Sequence, residues 1–158
     1  MDFPERIYTS EEVAKARKLI QRGYRHQLKA EGSPDFRDKT RRALSLVKLA
    51  GYNDFLRKHI RRIVEIDGLT QLREADATIW ANKYAVQDPV DAASLFVQKA
   101  NHMKEYLEAK LYFGGAAETR SVRKRIEFLE ALKRKSSERE VKEDCERLLK
   151  SWYESVFF

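Results

Sequence analysis

"DFLRKHIRRIVEIDG", residues 54–68, is the stretch on which the reading of this chain turns. Phe55, Leu56, His59, Ile60, Ile63 and Val64 recur at three- and four-residue spacing, the pattern of one buried face of a helix. Asn53 stands where an N-cap belongs, and Asp67–Gly68 where a helix ends. Read this way, Arg57, Lys58, Arg61 and Arg62 share the outer side of a single helix, with Arg57/Arg61 and Lys58/Arg62 as i, i+4 neighbours. Like charges so placed repel by about 0.2–0.5 kcal/mol per pair, and only Asp54 and Glu65 stand nearby to offset them. The stretch therefore asks to be either the solvated face of a helix or the footprint of an anionic partner.

The same period continues along the chain in both directions. Thr9 with Glu12 forms a capping box ahead of Val13, Ala16, Ile20, Tyr24 and Leu28, with Gly32 as the stop. Ser33–Pro34–Asp35 starts a second helix, since proline is pre-set for the first turn and an acid suits the positive end of the dipole. A fourth helix is expected from about Thr70, carrying Leu72, Ala75, Ile79 and Val86. Asp88–Pro89 opens the fifth and longest, to about Phe113, roughly 37 Å at 1.5 Å per residue. That helix is apolar on two sides, which places it at the centre of a bundle. Val122, Ile126, Leu129 and Leu132 mark a sixth, and a capping box of Ser137 and Glu140 opens a seventh. The expectation is an all-α, single-domain bundle of about seven helices over residues 1–158, with a long central helix at about 89–113.

Composition agrees with a packed, water-facing domain. Hydrophobic residues make up 42% of 158, enough for a core, and charged residues 36%, above the usual quarter. The N-terminus lacks the basic-then-apolar order of a leader, and no apolar run is of spanning length. Cys145 is the only cysteine, so neither an internal disulfide nor a thiolate metal site can form, and a cytoplasmic setting is expected.

Chemistry-bearing patterns are sparse. His102 and Glu105 lie three apart on the long helix, but a bundle metal centre needs such pairs from several helices. No nucleophile, base and oxyanion donor are nominated together, and no phosphate loop is present. No catalytic residue, metal ligand or cofactor is assigned, and a binding module is expected rather than an enzyme.

Charge is the informative feature. The net charge is +7, and residues 33–66 hold nine Lys/Arg against four Asp/Glu. The candidate contacts for an anionic partner, nucleic acid foremost, are Arg41, Arg42, Arg57, Lys58, Arg61 and Arg62 on a basic face spanning 37–62, with Arg120, Arg123 and Lys124 from "TRSVRKR". In a helical reading no aromatic interleaves with either cluster, so base stacking is not expected. The alternative is a protein-interaction or oligomeric scaffold. It would use apolar surface including the tail "SWYESVFF", with Trp152, Tyr153, Phe157 and Phe158 closing the core or docking a second copy.

Overall fold

The computed structural model describes residues 3–4, 9–110 and 114–157, with side chains as far as Ser155. The described residues form helices α1 (Ser10–Gln21), α2 (Pro34–Leu49), α3 (Asn53–His59), α4 (Pro89–Leu107), α5 (Gly115–Lys135) and α6 (Arg139–Phe157). Between them run strands β1 (Lys29–Glu31), β2 (Arg62–Glu65), β3 (Gln71–Arg73) and β4 (Thr78–Ala81), with a short 3-10 turn at Glu74–Asp76. The expected all-α bundle of seven helices is thus corrected to six helices and a four-stranded mixed sheet among the described residues, although 65% of these are helical.

The correction falls on three segments. Helix α1 stops at Gln21 rather than near Gly32, and residues 29–31 become an edge strand. The helix read through residues 53–66 stops at His59, where Ile60 takes extended dihedrals of φ −119°, ψ 126°. The helix expected from Thr70 is a β-hairpin, with its tight connection closed by Ala77 in the left-handed region at φ 51°. Four β-branched residues crowd "IRRIVEI", and "TIW" joins β-branched with aromatic, both of which fit a half-buried pleat better than a helix turn. Runs of three or four residues are too short for alternation to outvote a helical period.

The sheet has the order β1–β2–β4–β3, parallel across β1, β2 and β4 and antiparallel at β3. Register aligns Ala30, Ile63, Ile79 and Leu72 in one cross-strand row. Ile63 and Ile79, both 0% exposed, anchor it in the core. Burying each such side chain contributes about 1.5–3 kcal/mol, so this row sets which face turns inward. Its neighbours in the pleat, Lys29, Arg62, Thr78 and Arg73, and then Glu31, Val64, Trp80 and Gln71, belong to the other face.

Helix α4 packs against α1, α2, α3, α5 and α6, which places it at the centre. Its start is as the sequence indicated: Asp88 accepts from Val90 N (3.0 Å) and Asp91 N (3.2 Å), ahead of Pro89 in the first turn. It ends at Leu107, and the extension expected over 111–113 lies outside the described residues. Between α4 and α5, Arg125 is 6% exposed and is held by Asp91 Oδ1 (2.7 Å), Ser94 Oγ (2.9 Å) and Gln98 Oε1 (3.0 Å). Its guanidinium lies 4.4 Å from the Trp152 ring, which ties α6 to the same pair. A buried cation needs this full set of partners, because desolvation otherwise outweighs the attraction.

Gly32 joins β1 to α2 where a side chain has no room. A Cβ there would stand 2.7 Å from Glu65 Cβ and 2.9 Å from Phe36 Cδ1, and Phe36 is buried. Gly32→Ala is expected to lower stability by about 1–3 kcal/mol through overpacking, read as a reduced urea midpoint with an unchanged slope. An unaltered midpoint would show that β1 and α2 do not meet as described.

Candidate anion-binding site

The segment Tyr24–Lys29 links α1 to β1 and lies against the end of α3. Its backbone is fixed on both sides: His26 N donates to Arg57 O (2.8 Å), Arg57 Nε donates to His26 O (2.6 Å), and Lys29 N donates to Arg61 O (3.2 Å). Leu28 is forced to a positive φ of 54°, which costs a bulky residue about 1–3 kcal/mol and persists only where neighbours over-determine it. Gln27 and Leu28 form the wall between two grooves.

The first groove, about 490 Å³, is lined by Arg25, Lys29, Arg61 and Arg62, together with the acid Glu31. The second, about 450 Å³ on the other side of the wall, is lined by Arg41, Lys48 and Arg57. Arg25 is engaged by Asp54 (2.6 Å), Arg41 by Asp38 (2.8 Å), and Arg62 more loosely by Glu31 (3.8 Å). Lys29, Lys48, Arg57 and Arg61 have no carboxylate within ion-pair distance among the described residues. Arg61 Nε is also buried without a hydrogen-bond partner among them, and orphan donors are costly enough to mark a site.

The nominated residues therefore divide. Arg41, Arg57, Arg61 and Arg62 meet around Gln27–Leu28, but from two helices and a strand. Arg61 and Arg62 are strand-side residues, so the i, i+4 repulsion expected on one helix does not arise. Lys58, on α3, lies outside the lining of both grooves. Arg42 is bound to Glu138 (2.8 Å), and Arg120 to Glu105 (2.9 Å). Arg123 is exposed on α5, and Lys124 lies 4.7 Å over the Phe55 ring. None of these five lines either groove. Sequence reading missed Arg25, Lys29 and Lys48, which are scattered over three elements and form no run.

The tail residues also separate. Trp152 is half-buried against Arg125, whereas Tyr153 is exposed and donates its hydroxyl to Glu130. The Phe157 side chain and Phe158 lie outside the described residues. Glu105, paired with Arg120 and bonded by Asn101 (3.3 Å), has its carboxyl held below the ordinary range chiefly by the Arg120 hydrogen bond. Among the described residues no group of three or more His, Cys, Asp or Glu could hold a metal ion. No helix among them is long and apolar enough to cross a membrane.

Two histidines are buried here, and His26 lines the first groove. His26 is 3% exposed and wedged between Phe3 (4.5 Å) and Tyr24 (5.1 Å). Burial, with Arg61, His59 and Arg57 adding, holds it down to about 4. His59 is 5% exposed, and its Nδ1 donates to Phe55 O (2.8 Å). Burial dominates there too and brings it to about 4, although the Phe55 bond works the other way. Because both folded values lie below the ordinary 6.5, the unfolded chain takes up protons first on acidification. The stability they allow is complete above about pH 6.5 and is lost as pH falls toward 4, by up to about 1.4 kcal/mol per pH unit for each. Urea unfolding at stepped pH is expected to show this fall, and His59→Gln to flatten it; a profile level from pH 7 to 5 would contradict the buried, neutral state.

In comparison with known proteins, no family model matches the chain, and neither does any curated protein or solved structure.

Proposed function

We propose that the protein is a binding module for an anionic polymer, nucleic acid foremost, which it holds in the two grooves beside Gln27–Leu28. One observation carries this reading: Lys29, Lys48, Arg57 and Arg61 converge on that wall with no carboxylate at ion-pair distance among the described residues, while Arg42, Arg120, Lys133 and Arg139 elsewhere are each paired with an acid. Cations gathered in a groove without neutralising acids raise the local potential and so suit a partner's charge.

The mechanism is electrostatic and needs no chemical step. Phosphates entering the grooves displace condensed counterions, which gives affinity that falls steeply with salt. Arginine forks at Arg57 and Arg61 suit paired phosphate oxygens, and Lys29 and Lys48 act as point charges on flexible stems. Backbone bonds through His26, Arg57 and Arg61 hold the wall in place, so less ordering is required on binding.

Fluorescence anisotropy with labelled oligonucleotides across a salt series tests this. Lys29→Glu with Arg61→Glu is expected to weaken binding at least about tenfold and to reduce the slope of log K against log salt by about one for each phosphate no longer neutralised. Arg139→Glu with Lys150→Glu, the same charge change at two exposed positions of α6, is expected to do far less. Equal effects from both variants would reduce the result to net charge, and no binding at low salt would end the proposal.

A further inference from the structure

We propose that the polymer is single-stranded, with bases stacked on the outer face of the sheet while the backbone follows the basic groove. This rests on the anion-binding reading above and adds to it the class of nucleic acid. Trp80 shares the outer face with Arg62 and Arg73, and among the described residues the main helix packing on the sheet is at its edge strands, α2 with β1 and α4 with β3. Trp80 is half-buried, so its ring is held by the sheet yet reaches solvent. The exposed Arg73 guanidinium lies over it, 4.4 Å from its centroid, so a cation stands against the ring.

A second stacking group stands at the carboxyl end of β4. Tyr84 is 68% exposed, with Lys83 Nζ 5.3 Å from its ring centroid. Asn82 fixes this corner by donating to Gly68 O (2.9 Å) and accepting from Tyr84 N (3.1 Å). Burial is the default for a large aromatic; a tyrosine and a tryptophan left open beside lysine and arginine match the combination that single strands use, stacking for bases and cations for phosphates. Duplex has no unstacked base to offer and gains only the phosphate interactions. The helical reading of residues 54–86 could not show this, because only β pairing puts Trp80 on one sheet face with Arg62 and Arg73.

The probes are oligo(U) and oligo(dT) of one length, a duplex of matched charge, and heparin. Single strands are expected to bind at least about fivefold tighter than the duplex, and Trp80→Ala to remove about 5- to 150-fold of that affinity while leaving heparin unchanged. Tyr84→Ala guards against a folding defect, since that side chain is mostly in solvent; a fall confined to single strands is expected there too. A direct readout uses Trp152→Phe, which leaves Trp80 as the sole tryptophan of the two: its emission is expected to be quenched by single strands and not by heparin. The tighter of oligo(U) and oligo(dT) names the sugar. Equal affinity for duplex and single strand, with Trp80 emission unmoved, would overturn the platform and leave the anion-binding reading standing. Failure of every probe to bind would remove that reading itself.

Discussion

The change from helix to extended backbone at Ile60 is the constraint on which the rest of the structure depends. Ile60 N closes the last bond of α3 on Leu56 O (2.8 Å), and one residue later the main chain belongs to the sheet. Arg61 N donates to Ala77 O (2.7 Å) and Arg61 O accepts from Lys29 N (3.2 Å), so one residue joins the chain to both neighbouring strands. Ile60 and Ile63 are each 0% exposed. A continuing helix would keep them on one face but would leave β1 and β4 without the strand between them. A central strand needs partners on both edges, which β1 and β4 supply, and Ile63 turns its inward face to the core.

The same break distributes the charge. On one helix, Arg57 and Arg61 would stack a turn apart and repel. Here Arg57 stays on α3 and reaches back to His26 O, while Arg61 leaves with β2 and lines the far side of the Gln27–Leu28 wall. The grooves gather cations from α1's outgoing loop, β1, α2, α3 and the lead-in and start of β2 on the two sides of one wall. Charge elsewhere is handled differently. Arg125 is enclosed by Asp91, Ser94, Gln98 and the Trp152 ring, which makes it a structural link between α4, α5 and α6.

Much of the helical frame was legible because its signals are local. Thr9 does accept from Glu12 N (3.1 Å), Ser33 from Phe36 N (3.2 Å), and Asp88 from the first turn of α4. Each depends on residues within three positions of one another. The two-sided apolar pattern of residues 93–107 likewise fixed α4 as central, since a helix buried all round must be surrounded. Other local signals were outweighed. Asn53 is the first residue of α3 rather than its cap, which is Tyr52, and Ser136 rather than Ser137 bonds the turn before α6. The basic excess of residues 33–66 was visible as a count, without its geometry.

By itself, then, the amino-acid sequence determined the starts of α1, α2 and α4, the central place of α4, the apolar character of the core and the positive charge. Those follow from periodicity, capping and composition, which act over a few residues. The sheet, the two grooves, and the contact of Trp80 with Arg73 were decided only by the tertiary structure. Strands of three or four residues carry no periodicity of their own, and their stability comes from partners 16 to 33 positions away, as in Arg62↔Thr78 and Lys29↔Arg62. The spacing that let residues 54–66 pass for a single helix was satisfied equally by a helix turn followed by a strand. Pairing energy supplied by distant chain made the choice.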